Sequence, residues 1–129
     1  MDDLKYLFIS GKRNGFWIDY YDNGSKKTEG YYFKGKRNGL WIDYYDNDII
    51  KAKMNYLNGK FSGQWEQYDE SGKLFYKTNY KNGKKDGIGI FYYSNGDLFF
   101  TLTYVNDSIK KIKRRYDENK EINEISFYI

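Results

Sequence analysis

The segment Gly11-Lys12-Arg13-Asn14-Gly15 returns 24 residues later as Gly35-Lys36-Arg37-Asn38-Gly39, and this period runs through the whole 129-residue chain. The opening glycine recurs at Gly59 and Gly83, the closing one at Gly63 and Gly87. Trp17, Trp41 and Trp65 hold one phase, with Gly89 in the fourth unit. Tyr20, Tyr44, Tyr68, Tyr92 and Tyr116 hold a second phase; Tyr32, Tyr56, Tyr80, Tyr104 and Tyr128 hold a third. No insertion or deletion breaks the register. Self-similarity at a fixed period marks a repeat array in which each unit is one supersecondary element. The units are 11–34, 35–58, 59–82, 83–106 and a degenerate 107–129, with residues 1–10 as a half repeat. No linker or shift of composition divides 1–129, so a single repeat domain is expected.

Composition decides what each unit becomes. Proline is absent, glycine occurs 13 times, and 22% of the chain is aromatic, with 16 tyrosines. Tyrosine and phenylalanine fit strands, and regularly spaced glycine suits turns that need positive φ. The aliphatic runs that fill a thick core are missing. The expected fold is all-β: an elongated, twisted single-layer antiparallel β-meander of tandem 24-residue hairpins, with about ten strands. Within a unit, Phe16 to Tyr21 runs into Asp22-Asn23-Gly24. A two-residue turn at Asn-Gly and a three-residue loop ending in a left-handed glycine with a bulge are both open there.

Register discriminates between them, because it decides which side chains share a face. The three-residue loop sets Tyr44 opposite Ile50, Ile42 opposite Ala52 and Leu40 opposite Met54. In the fourth unit it sets Tyr92 opposite Leu98, Ile90 opposite Phe100 and Ile88 opposite Leu102. In the fifth it sets Arg114 opposite Glu124, a pair of opposite charge. The two-residue turn would place Asp43 and Arg115 among apolar residues, so the three-residue loop is preferred. One face then carries the aliphatics with Tyr20, Tyr44, Tyr68 and Tyr92. The other carries Trp17, Trp41, Trp65, Tyr21, Tyr45 and Tyr93 among Asp19, Asp43, Lys27, Lys51 and Lys53. The connection between units, such as Gly35 to Gly39, is expected to use left-handed backbone at both glycines. Curling is expected to close the aliphatic face, leaving the aromatic face for a partner; a second copy covering the apolar face is the other arrangement considered.

The pattern of a glycine, one or two basic residues, Asn-Gly, an aromatic, Tyr-Tyr, Asn-Gly and a strand ending in tyrosine resembles the MORN-variant repeat. The resemblance covers residues 11–106. Residues 107–129 depart from it, with Lys111, Lys113 and Lys120 where Gly15, Trp17 and Gly24 stand in the first unit. That departure reads as the C-terminal cap a repeat array needs. The resemblance implies a scaffold for protein–protein interaction. It also imports an antitoxin role, since bacterial proteins of this kind are often labelled antitoxin components of toxin–antitoxin systems. Related proteins carry a phosphatidylinositol-phosphate kinase label, but this chain has no kinase domain.

Chemistry is limited by what is missing. With no His and no Cys, histidine acid–base catalysis, thiolate nucleophiles, disulfides and ordinary zinc sites are all excluded. Gly87-Ile88-Gly89 falls on repeat positions and is architectural rather than a phosphate loop. Asp46-Asn47-Asp48 lacks the ligand series of a calcium loop and reads as a hairpin turn, with Asp48 in place of glycine. Asp19 and Asp43 stand roughly 10 Å apart at two strand spacings, near the upper limit for an inverting glycosidase pair, and read as a solvated face. No catalytic residue, cofactor or metal is expected, and the chain reads as a non-enzyme.

Two features suggest binding. The aromatic row Trp17, Trp41, Trp65 with Tyr21, Tyr45 and Tyr93 is the candidate binding face. Its alternative use is as a platform for carbohydrate, choline or lipid head groups at a cell surface. Lys12, Arg13, Lys36, Arg37, Lys60, Lys84 and Lys85 form a candidate basic edge, opposite hairpin turns carrying Asp22, Asp46, Asp48, Glu70 and Asp97. The net charge of +4 and pI near 9.0 are weak grounds for nucleic-acid binding. Met1-Asp2-Asp3-Leu4-Lys5 lacks the pattern of a signal peptide, and nothing approaches a membrane span. A cytoplasmic location is expected, with export only if a leader has been removed, and another protein is the expected partner.

Overall fold

The computed structural model describes residues 8–9, 11–118 and 121–128, with side chains for 11–114 and 128. Its strands, in chain order, are β1 (Phe8–Ile9), β2 (Lys12–Arg13), β3 (Gly15–Tyr20), β4 (Lys26–Phe33), β5 (Lys36–Tyr44), β6 (Ile50–Leu57) and β7 (Lys60–Tyr68). They continue with β8 (Leu74–Lys81), β9 (Lys84–Lys85), β10 (Gly87–Tyr92), β11 (Leu98–Val105), β12 (Ser108–Glu118) and β13 (Glu121–Tyr128). β1 and β2 form a small hairpin. The other strands make one 11-stranded antiparallel sheet whose spatial order follows the sequence from β3 to β13, with β9 on the flank of β8. No helix occurs among the described residues. The chain is an all-β meander of hairpins, as its period demands.

Each of the first four units supplies one long hairpin closed by a three-residue loop. In the first, the Tyr21 N–H donates to the Ser25 carbonyl (2.8 Å) and the Gly24 N–H to the Tyr21 carbonyl (2.9 Å). The same pair of bonds closes the other three loops. Gly24, Gly72 and Gly96 stand at φ between 90° and 92°, and Asp48 takes that place at 71°. Units are joined by two-residue turns at Lys34-Gly35, Asn58-Gly59, Asn82-Gly83 and Asn106-Asp107, with positive φ at both positions. That is the type I′ geometry, whose twist matches the flanking strands. Gly35 and Gly39 both have positive φ, as expected for this connection.

The expected loop is present, but the expected faces are not. Tyr44 lies opposite Ile50, and Tyr92 opposite Leu98. Immediately beyond, each register slips by one residue, through a second bulge at Lys27, Lys51, Phe75 or Phe99. Asp43, not Ile42, therefore faces Ala52; Trp41, not Leu40, faces Met54. In the fourth unit Phe91 faces Phe100 and Gly89 faces Leu102. A slip of one residue exchanges the two sides of a strand, so Trp17, Trp41 and Trp65 lie on the side of Met54, Phe100 and Leu102. Leu40, Ile42, Ile88 and Ile90 lie on the opposite side. In the fifth unit Glu118 faces Glu121. In that register Arg115, not Arg114, lies opposite Glu124.

The tryptophan face is the core. Trp41 is fully buried, with Ala52 and Met54 beside it and Trp17, Tyr32, Tyr56, Phe61 and Trp65 packed around them. A single sheet can bury an indole because its neighbour strand carries no side chain beneath it. A Cβ on Gly30 would stand 2.3 Å from the Trp41 ring. The indole Nε1 donates to the Tyr31 carbonyl (2.9 Å), which satisfies its polar edge. From this centre, edge-to-face and tilted contacts run Trp17–Tyr32–Trp41–Tyr56–Phe61–Trp65, at centroid separations of 4.8–6.2 Å. In the fourth unit Gly89 replaces tryptophan, and the Tyr104 ring occupies its place, 2.7 Å from where a Cβ would stand.

Candidate functional site

The repeat positions sort into two faces and two edges. On the core face, the ring surfaces a ligand would need are covered. Arg13 lies 4.0 Å above the Trp17 ring and Arg37 lies 4.1 Å above Trp41. Arg37 also donates to the Tyr56 hydroxyl (3.2 Å). Phe61 and Tyr80 pack on Trp65 at 4.9 and 5.5 Å. Tyr21 and Tyr45 are half-buried, and their hydroxyls donate to the carbonyls of Tyr44 and Tyr68 in the next repeat, each at 2.7 Å. Tyr93 is exposed and stacks on Phe99. The candidate aromatic row therefore splits: the tryptophans are core, two tyrosines are staples between repeats, and Tyr93 alone is open.

Toward the hairpin tips the core face becomes polar. An open groove of about 490 Å³ is lined by Asp19, Thr28, Asp43, Lys27, Lys51, Arg37 and three tyrosines. Thr28 Oγ1 donates to Asp43 (2.7 Å), which is half-buried, while Asp19 is exposed. Lys27 and Lys51 each lie 5.7 Å from a tyrosine ring, Tyr21 and Tyr45 respectively. This polar end repeats with the sequence period and so belongs to the scaffold.

The opposite face is the open one. Tyr31, Phe33, Leu40 and Leu57 are 48–59% exposed there, and the Phe16 ring packs on Tyr31. They spread over β3 to β6. Strands β6 to β8 present Lys53, Asn55, Gln64, Glu66, Lys77 and Asn79 on the same side, and Ile88, half exposed, follows in the fourth unit. Tyr44 donates its hydroxyl to Glu29 on this face. Burial first, and then that bond, push the phenol up to about 12. Sequence reasoning missed this surface because it paired the strands without the second bulge. Gly30, a glycine in a strand interior where a large side chain must lie close, was the available clue.

Of the basic edge, Lys12, Lys36, Lys60 and Lys84 are exposed. The first three lie against the following turn, within 3.2–3.9 Å of the Cβ positions of Gly35, Gly59 and Gly83. Arg13, Arg37 and Lys85 instead reach over aromatic rings of the core face. The turns are stitched together along this edge. The amides of Gly35, Gly59, Gly83 and Asp107 donate to the carbonyls of Arg13, Arg37, Phe61 and Lys85 in the unit before, at 2.8–2.9 Å. The acidic turn residues Asp22, Asp46, Asp48, Glu70 and Asp97 are exposed along the other edge.

Comparison with known proteins agrees with the repeat assignment. The MORN repeat variant matches three consecutive segments, residues 37–58, 61–82 and 85–106, which together make half of the chain. No curated protein matches the chain in sequence. Among solved structures, the GtfA/B complex bound to UDP and GlcNAc superposes with a TM-score of 0.34 at 12% identity. That match covers 84% of this chain and 21% of the other.

Proposed function

Because the chain belongs to the MORN repeat variant family, we propose that it is a non-enzymatic scaffold that binds another protein through the open face of its sheet. One observation carries the reading: Tyr31, Phe33, Leu40 and Leu57 are exposed together on the side away from the core. Exposed apolar side chains gathered on one side of a sheet suit an interaction surface. The absence of His and Cys supports a binding role over a catalytic one. The specific form imported by the family resemblance is an antitoxin, whose partner is a toxin held inactive in the complex. A carbohydrate or head-group platform is the weaker reading, since such ligands need open ring faces and Arg13, Arg37, Phe61 and Tyr80 cover those of the tryptophans.

The test is purification of the native complex, identification of its partner by mass spectrometry, and titration of that partner with face variants. Tyr31→Lys and Leu40→Lys should weaken binding at least tenfold while leaving the melting temperature within a few degrees, roughly the cost of losing one or two buried apolar contacts. Unchanged affinity in both variants would remove the open face from the interface. A melt that depends on concentration, with no other protein present, would make the partner a second copy of this chain.

A further inference from the structure

On the open face the fourth unit departs from the repeat. Thr101 and Thr103 hold the positions of Glu29 and Tyr31, of Lys53 and Asn55, and of Lys77 and Asn79. These short side chains leave the flanking strands standing as walls. Ile88 lies opposite Thr103, which lies opposite Lys111; Ile90 lies opposite Thr101, which lies opposite Lys113. The result is a groove of about 320 Å³ along β11, with a threonine floor, Ile88 and Ile90 on one wall and Lys111 and Lys113 on the other. Leu98 closes one end. Ile88 is 54% exposed, so the aliphatic wall is open. Both charged groups that line the groove are cations. Glu66 lies outside it, beyond Lys77, and already accepts from the Tyr68 hydroxyl (3.1 Å).

We propose that this groove holds an extended segment of a partner protein in which carboxylate and aliphatic side chains alternate. Two strand spacings set its walls about 10 Å apart, room for one extended chain with side chains turned to either side. Along each wall the groups recur at every second residue, Ile88 and Ile90 on one and Lys111 and Lys113 on the other. An extended chain has the same period and sends its side chains to the two walls in turn. Its aliphatic side chains then meet Ile88, Ile90 and Leu98, and its carboxylates meet the two ammonium groups. The Lys111 ammonium lies 5.0 Å from the Tyr128 ring, a contact that steadies the side chain without neutralising its charge. The threonine hydroxyls both donate and accept, which suits peptide groups lying over them. A basic segment would meet like charge, and a wholly polar one would leave the aliphatic wall uncovered.

The groove deepens the open-face reading, on which it rests, by assigning the chemistry of one segment of the partner. A capped Glu-Val-Glu-Val-Glu-Val peptide is titrated into the full chain and followed by amide NMR, beside Lys-Val-Lys-Val-Lys-Val and Glu-Ser-Glu-Ser-Glu-Ser peptides. Shifts should concentrate on Ile88, Ile90, Thr101, Thr103, Lys111 and Lys113, and the first peptide alone should saturate them. The double variant Lys111→Glu, Lys113→Glu should weaken binding roughly tenfold or more, as like charge replaces attraction. Thr103→Tyr fills the floor with the residue the first unit carries, and should weaken binding as much without changing a charge. Ile88→Ser, at an exposed site where the fold is safe, should weaken it several-fold. Equal binding of the Lys-Val peptide, shifts that fail to localise, or unchanged affinity in Ile88→Ser would overturn the proposal. So would binding to vesicles of phosphatidylcholine with phosphatidylglycerol but not to the first peptide, which would make the occupant a membrane surface. A negative result leaves open-face binding standing, since Tyr31 and Leu40 are tested separately on the native partner.

Discussion

Trp41 shows how much one side chain decides in a sheet this thin. It is buried completely, with Gly30 beneath and Arg37 above. Trp41→Ala should cost about 3–5 kcal/mol, the range for emptying a large aromatic site. Leu40→Ala, one residue away on the open face, should stay within about 0.5 kcal/mol. Urea denaturation of the two variants measures both. A second residue-scale consequence concerns alkali. Tyr44 is raised to about 12 by burial and then by Glu29, and Tyr104 to about 12 by burial and then by its contact with Tyr76, each from an ordinary 10.0. The folded state holds these protons more tightly than the unfolded chain does. The stability they contribute is complete below pH 10 and is lost as pH rises through the folded values near 12. Denaturation midpoints should fall across that window, and less steeply in the Tyr44→Phe, Tyr104→Phe double variant.

At the scale of the hairpin, the loop was legible and the strand bulge was not. Asn23-Gly24 and Asn95-Gly96 announce a left-handed glycine, and the structure has it. The slip at Lys51 carries no such mark, because lysine tolerates a bulge as it tolerates an ordinary strand position. What selects the slip is tertiary: only the shifted register lays Trp41 over Gly30 and beside Met54. The sequence reading weighted Leu40 and Ile42 as core and tryptophan as surface. An indole offers the larger area to bury and outweighs them. The candidate site followed the faces, so its tryptophans fell on the wrong side, while Tyr21 and Tyr45 belonged to junctions that no periodicity argument addresses. One loop departs from the pattern in a measurable way. Asp48 holds φ of 71° where the first, third and fourth units use glycine. Left-handed backbone costs a non-glycine residue about 1 kcal/mol, so Asp48→Gly should stabilise the fold by up to about that amount. A thermal melt beside the parent chain reads it directly.

At the scale of the molecule, the sheet is a stack of equivalent hairpins in which sequence neighbours are spatial neighbours throughout. Stability in such arrays is a sum of unit and nearest-neighbour contributions. Excising residues 35–58, one full period, should therefore leave a cooperatively melting all-β chain. Excising half a period, residues 35–46, should not, since it joins strands of the same direction. Far-ultraviolet circular dichroism with temperature separates the two outcomes.

The bonds from Gly35, Gly59, Gly83 and Asp107 to the preceding unit have a mechanical meaning. Tension applied to the two ends of a meander loads its hydrogen bonds one rung after another, as in opening a zipper, rather than all together in shear. Each unit released adds 24 residues of slack, roughly 80 Å of extended chain. The array is thus compliant along the line through its termini, and able to pay out length in equal increments while the hairpins not yet reached keep their shape.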